Sequence, residues 1–210
     1  AMLYIAGASD RPGRVADGNT VLDFDSEEKR RKSSVSSAIA ALEWDNTKLN
    51  IIDAPGLFDF EGGAAEAVRA AEAVLIVTSA GSGVDVGTEK AFRAAEKKGA
   101  AKFFAVTKTD SDHRNFYKTF DALKEVYGNK LCPTIIPYME GNITKCYVNL
   151  MTGMAFSYDE NGKATKVPVP EDSVIEEMTS AFMEAVATTD DALMEKFFEG
   201  EKFTKEEILK

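Results

Sequence analysis

Three short segments of this sequence carry residue types whose spacing suits ligand chemistry. The first is Asp53-Ala54-Pro55-Gly56, directly after the run Leu49 to Ile52. A carboxylate at the end of a strand can hold a magnesium ion through water. A glycine three residues on can bring its bare N–H up to a phosphate oxygen. Taken alone, the pattern also fits a plain strand-to-helix turn. The second segment is Thr107-Lys108-Thr109-Asp110, after Phe103 to Val106. A carboxylate can accept hydrogen bonds from both N1–H and the exocyclic amine of guanine. Adenine lacks the N1 donor, so Asp110 would tell the purines apart. The methylene stem of Lys108 could cover one face of the base. A solvated, charged loop is the equal alternative. The third segment, Gly81-Ser82-Gly83-Val84-Asp85-Val86-Gly87, nearly matches a dinucleotide fingerprint. Its last glycine comes one residue late, which turns it about 100° around a helix. A flexible turn is the simpler reading, and a nicotinamide cofactor the competing one.

Other chemistry is missing. No Gly-x₄-Gly-Lys-Ser/Thr segment exists, and the single Gly-Lys pair, Gly162-Lys163, is followed by alanine. His113 is the one histidine, which rules out a multi-histidine metal site and leaves no credible Ser/His/Asp or Cys/His arrangement. It reads as a surface residue. Cys132 and Cys146 lack metal-ligand spacing and read as strand core. Acidic pairs such as Glu176-Glu177 and Asp190-Asp191 read as solvated helix faces and caps.

The elements that must position these residues follow from periodicity and turn chemistry. Ala1 to Ala8 reads as the tail of a helix, and Ser9 to Lys32 as a long polar surface loop carrying the basic cluster Lys29-Arg30-Arg31-Lys32. Ser36 to Trp44 and Lys48 to Asp53 form a hairpin around the turn pair Asp45-Asn46. Ala64 to Ala73, Thr88 to Lys98 (with Gly99 as its cap) and Asp112 to Tyr127 (ended by Gly128-Asn129) read as helices. Between them, Val74 to Thr78, Phe103 to Val106 and Leu131 to Ile136 read as strands, the first buried on both faces and the second also buried. Such alternation predicts an α/β fold: a mostly parallel sheet with helices on both faces.

After Pro137 the pattern changes. Lys145 to Leu150, Met154 to Tyr158 and Lys163 to Val169 read as strands, with a hairpin turn at Asn161-Gly162. Ser173 to Ala187, Asp190 to Phe198 and Thr204 to Lys210 read as helices. Residues 137–210 are thus expected to form a small α+β insert with its following helix, and residues 1–136 the main domain.

Composition narrows the class further. The 210 residues carry 35 acidic and 25 basic side chains, a net charge of −10, which argues against a non-specific binder of nucleic acid, DNA included, or of anionic membranes but leaves docking to a nucleoprotein through a local surface open. Two cysteines suit a reducing compartment, and no apolar run is long enough to span a bilayer. The cytoplasm is the expected location.

In this order, the segments resemble one family closely: the translational GTPases, in particular the GTP-binding domain of elongation factor G. The resemblance implies a P-loop-NTPase-like fold, incomplete here. Asp53-Ala54-Pro55-Gly56, running on to Asp59-Phe60, resembles the DTPG motif of switch II, and Thr107-Lys108-Thr109-Asp110 resembles the guanine-reading NKxD motif. Glu28 to Ser37 lies where the effector motif is carried, with Ser34 at the place of a magnesium-binding threonine. The insert is similar to the extra subdomain of elongation factor G. The resemblance implies GTP and magnesium as cofactors of the parent protein, Ser34 and Asp53 at the metal, and Asp53, Gly56, Thr107, Lys108 and Asp110 at the nucleotide. It also implies GTP hydrolysis in translocation on the ribosome, with ribosomal RNA and a stalk protein as partners. A slow or non-hydrolysing ribosome-protection or regulatory module is the alternative.

Two departures stand out. Leu57 occupies the place of the histidine that positions the attacking water, so no catalytic residue is assigned. Thr107 replaces the motif asparagine. The phosphate loop and the closing strand of such a domain are expected outside these residues. The 210 residues alone are therefore expected to show no measurable GTP affinity, a sheet with a gap, and non-native self-association through open strand edges.

Overall fold

The computed structural model describes residues 1–81, 83–109, 115–128, 131–141, 143–159, 162–201 and 203–209. The chain forms two compact units: residues 1–78 with 84–107, and residues 79–83 with 108–210.

The first unit begins with the short helix α1 (Met2–Ile5) and a 3-10 turn at Val15–Asp17. Helix α2 (Ser26–Arg31) follows, inside the stretch expected to be loop. A reciprocal capping box starts it: Asp25 Oδ1 accepts from the Glu27 N–H at 2.7 Å, and Glu28 Oε2 from the Asp25 N–H at 3.1 Å. Strands β1 (Ala38–Trp44) and β2 (Thr47–Asp53) pair antiparallel from Ala38 opposite Asp53 to Trp44 opposite Thr47. Asp45 and Asn46 take φ of 47° and 59°, the left-handed pair that a two-residue hairpin turn needs and that these two residue types tolerate.

A 3-10 turn at Phe58–Phe60 leads into α3 (Glu61–Ala70), β3 (Ala73–Ser79), α4 (Val86–Lys98) and β4 (Ala101–Thr107). Strands β3 and β4 are parallel neighbours, with α4 as the crossover. Asp85 caps α4 by accepting from the Thr88 N–H at 2.7 Å, and Gly99 ends it at φ 74°. Phe92 of α4, buried, stacks on Phe104 of β4 with centroids 6.0 Å apart, which fixes the helix on the strand.

Among the described residues β1–β2 and β3–β4 are separate two-stranded pieces, in keeping with the expected gap in the sheet. One expectation changes. Strand β3 is not buried on both faces: Ile76 and Thr78 are buried, while Leu75 and Val77 stay 53% and 61% exposed. On β4, Phe103 is likewise 56% exposed, with no described residue burying that face.

The second unit holds α5 (Phe116–Tyr127), capped by Asn115. A four-stranded antiparallel sheet follows in the order β5 (Ile135–Glu140), β6 (Ile143–Asn149), β7 (Met154–Tyr158), β8 (Ala164–Val167). Residues 131–134, expected to be strand, are irregular, and β5 pairs antiparallel rather than joining a parallel sheet. Its pairing with β6 is antiparallel because β6 returns directly after Gly141. One face of this sheet packs on α6 (Ser173–Ala187), burying Ile136, Cys146, Val148 and Ala155 against Ile175 and Phe182. Cys132 packs against this core from outside any strand. Helices α7 (Asp191–Phe198) and α8 (Lys205–Leu209) complete the unit, tied by the Lys196–Glu207 ion pair at 2.5 Å.

Candidate nucleotide and metal site

The antiparallel hairpin fixes Asp53 at the end of β2, half-buried, with Pro55 buried behind it. Burial raises the Asp53 carboxyl above its ordinary value, and the negative charges of Asp23 and Glu28 raise it further. Asp23, nearly buried at 9% exposure, accepts from the Ser34 hydroxyl at 2.8 Å through Oδ1 and from the Thr20 hydroxyl at 2.8 Å through Oδ2. Ser34 is thus hydrogen-bonded to Asp23, a carboxylate that sequence reasoning does not single out and whose charge is felt at Asp53.

Glu28 holds the segment that carries Ser34. Its side chain is 1% exposed, and Oε1 accepts from the N–H groups of Val35 at 3.0 Å and Ser36 at 3.1 Å. The Val35 bond above all keeps its carboxyl below the ordinary glutamate range, against the opposing effect of burial. At the far end, the Ser37 hydroxyl donates to the Gly63 carbonyl at 3.1 Å. A Cβ at Gly63 would come within 3.1 Å of Ser37 Oγ and 3.3 Å of Pro55 Cγ, so a side chain there would press on both.

Gly56 is different: an added Cβ would meet no atom within 4 Å, so packing does not demand glycine there. Leu57 is 49% exposed and offers neither donor nor acceptor. The following turn is clamped to α4: Lys90 Nζ lies 3.9 Å from the Phe58 ring centroid and 2.5 Å from Glu61 Oε2.

At the end of β4, the Thr107 hydroxyl donates to the Thr78 carbonyl at 3.1 Å, bridging β4 to β3. Lys108 sits at φ 56°, a left-handed conformation uncommon for a residue with a long side chain. Asp110 and His113 lie outside the described residues. Of the Gly81 to Gly87 segment, the described residues lie between β3 and α4, with Gly83 at φ 63° and Gly87 already helical. The described residues contain no group of three or more potential metal-ligating histidine, cysteine or acidic side chains.

Asp53, Asp23 and Ser34 carry oxygen donors of the chemical kind a small divalent cation takes, without forming a metal-ligating cluster among the described residues. Carboxylates and a hydroxyl are the oxygen ligands magnesium takes, and the mutual repulsion felt at Asp53 is what a cation would relieve. Geometry and topology define the class: an α/β domain with the fold of a translational GTPase domain. Residues 1–203 match the family described as the Elongation factor Tu GTP binding domain, and the chain belongs to that family. It is 32% identical over 204 residues to an "Elongation factor G-like protein" of Mycobacterium tuberculosis, in the strains CDC 1551 / Oshkosh and ATCC 25618 / H37Rv alike. That match covers 96% of this chain and 28% of the relative, so the chain spans under a third of the relative's length. A crystal structure from Thermus thermophilus superposes with a TM-score of 0.88 at 34% identity, covering 98% of this chain and 31% of that one.

Proposed function

We propose that this chain is the nucleotide-handling part of an elongation factor G-like GTPase that works on the ribosome in translocation. The observation that carries the reading is the Ser34–Asp23–Asp53 arrangement, set at the end of β2 in a family defined by GTP binding. Ser34 and Asp53, with Asp23 behind them, would hold magnesium, which when bound neutralises phosphate charge. Gly56 would present its N–H to the terminal phosphate, and its open surroundings leave room for that approach. Thr107 braces the base-side loop, Lys108 covers the base and Asp110 reads guanine. Leu57 positions no water, so intrinsic hydrolysis is slow, by about 10² or more against a well-placed base.

Partner surfaces follow the same reading. Arg30 and Arg31 share their charge with Glu27, whose carboxyl they lower to about 2. Lys29 and Lys32, both exposed, give the cluster its remaining charge for ribosomal RNA. Residues 137–210 serve as the docking subdomain for a stalk protein. Between residues 171 and 210 there are twelve acidic side chains against four basic ones, which favours an apolar or basic partner surface over an acidic one. Among the described residues each strand of β1–β2 and β3–β4 has one edge without a strand neighbour, the route for self-association of the 210 residues alone. The cytoplasm fits such a role, and no described helix is long and apolar enough to cross a membrane.

The test is GTP turnover by a protein that contains this chain within its longer parent, with and without ribosomes. Ribosome-stimulated turnover is expected. Failure to bind GTP, or turnover indifferent to ribosomes, removes the reading.

A further inference from the structure

The turn that follows Gly56 is weakly made by its own residues. Leu57 and Phe58 are 49% and 65% exposed, so no core holds them. Helices α2, α4, α5, α6 and α7 each begin at an Asp or Asn whose side chain accepts a backbone N–H. Neither the 3-10 turn at Phe58–Phe60 nor α3 has such a cap. Gly62 and Gly63 then stand in the first turn of α3, and glycine is the weakest helix former after proline.

What the turn lacks locally, α4 supplies. Lys90 Nζ stands 3.9 Å from the Phe58 ring centroid and 2.5 Å from Glu61 Oε2, so one ammonium grips the turn at its first residue and just past its last. Helix α4 is a firm base for that grip: Asp85 caps it, and Thr88, Phe92 and Ala95 are buried beneath it. The start of α3 has a second tie, since the Gly63 carbonyl accepts the Ser37 hydroxyl at 3.1 Å.

We infer that Lys90 is a positioning residue for the nucleotide site: by gripping Phe58 and Glu61 at once, it holds the turn against α4 and sets in advance where the Gly56 N–H stands. The grip rests on these contacts alone, and its consequence for nucleotide rests on the proposed role of Gly56. Gly56 is only two residues from Phe58, so a turn that wanders carries its N–H along. Holding that N–H in place lowers the ordering cost of engaging a terminal phosphate. GDP has no such phosphate and gains nothing. Lys90 and Glu61 are both exposed, so the ion pair and the ring contact are each weak, and together they bias the turn about three- to ten-fold.

The experiment uses the longer protein that contains this chain, with Lys90→Met, Lys90→Arg and Glu61→Gln. Hydrogen exchange is read, without nucleotide, at the Phe60 and Glu61 amides, which donate to the Leu57 and Phe58 carbonyls. Lys90→Met should speed both about three- to ten-fold. It should weaken GTP binding by a similar factor and leave GDP binding unchanged, a split that general loss of stability does not produce. Lys90→Arg keeps the charge and stacks on the ring, and should restore both readouts. Glu61→Gln should give part of the effect alone and add little on top of Lys90→Met, which marks the two residues as one unit. Exchange at Phe60 and Glu61 unaltered by Lys90→Met overturns the inference. So does faster exchange with an unchanged or raised ratio of GTP to GDP affinity. A parent protein that binds neither nucleotide removes the proposed function instead, and exchange still decides whether Lys90 holds the turn.

Discussion

Replacing Glu28 by glutamine should loosen the segment that carries Ser34. The carboxylate accepts three backbone N–H groups, from Asp25 at 3.1 Å, Val35 at 3.0 Å and Ser36 at 3.1 Å, while almost wholly buried. A hydrogen bond to a charged group contributes about 1.5–3 kcal/mol. Glutamine keeps one acceptor oxygen and turns an NH₂ toward the remaining donors. Either the Asp25 bond or the Val35 and Ser36 pair is lost, and the charge is lost in every case. The expected cost is about 2–4 kcal/mol. Local opening of residues 33–37 should become roughly 30- to 1,000-fold more frequent.

Hydrogen exchange at the Val35 and Ser36 amides reads this directly, and tryptic cleavage after the exposed Lys32 reads it independently. The sign with pH follows from the lowered carboxyl of Glu28. Its contribution is fully present above the ordinary glutamate range and fades as pH falls through the lowered folded value. Protection of Val35 and Ser36 should therefore drop on acidification in the parent chain and stay flat in Glu28→Gln. Wild-type exchange and cleavage rates in the variant at pH 7 would refute the role assigned to Glu28.

Asp53→Asn should melt at or above the parent temperature at pH 7, because an ionised Asp53 is disfavoured by burial and by Asp23 and Glu28. The gap should close as pH falls toward the range where Asp53 is neutral in both states, and a lower melting point at pH 7 would contradict this. Tyr117→Phe removes the hydroxyl that donates to the Pro137 carbonyl at 2.6 Å and should cost about 1 kcal/mol. Burial, and then Asp172, push that phenol up to about 12, so the parent loses stability as pH rises through 10 toward 12. The variant should lose less in alkaline melts. In the longer protein, Leu57→His should raise single-turnover GTP hydrolysis about 10²-fold. An unchanged rate would show that position 57 does not govern the attacking water. Asp110→Asn should shift nucleotide preference from guanine toward xanthine in competition binding, and unchanged discrimination would remove its role.

Local chemistry makes much of this fold legible. Asp45-Asn46 announces the β1–β2 hairpin because few residue pairs accept two left-handed conformations in a row. Helix α6 has the bounds its sequence predicts, since Asp172 caps its start and its apolar period runs unbroken to Ala187. Helix α2 escapes a reading by charge, because Lys29 to Lys32 looks like a solvated run. The signal is nevertheless there: Asp25-Ser26-Glu27-Glu28 is a D-x-x-E capping box. Asp23 cannot be picked out from sequence, because its partners Thr20, Ser34 and Asp53 are assembled only by the fold. The Thr107–Thr78 bond is hidden for the same reason, as it exists only once β3 and β4 are neighbours. The both-faces reading of β3 fails on Leu75 and Val77, since an apolar run reports what a strand's environment prefers and not which layers this chain supplies.

The segment around Ser34 is held by few bonds, and all of them are polar. Glu28 fixes its start, Asp23 holds the Ser34 hydroxyl, and Ser37 fixes its end on Gly63. No residue from Ser33 to Ser37 is fully buried, so apolar packing adds little to these latches. Polar latches of this kind contribute about 1–3 kcal/mol each. Driving a two-state segment from 1:99 to 99:1 takes about 5.5 kcal/mol of differential binding. The latches and the ligand requirement are of the same order. A cation drawn to Asp53 and Ser34 would compete for the Asp23 carboxylate that now holds the Ser34 hydroxyl, so ligand binding and the latch on Ser34 would act on one shared group. Coupling through a shared carboxylate needs no long-range pathway, and Glu28, which touches neither Ser34 nor Asp53 by a hydrogen bond, sets how far the segment can move when that group is taken.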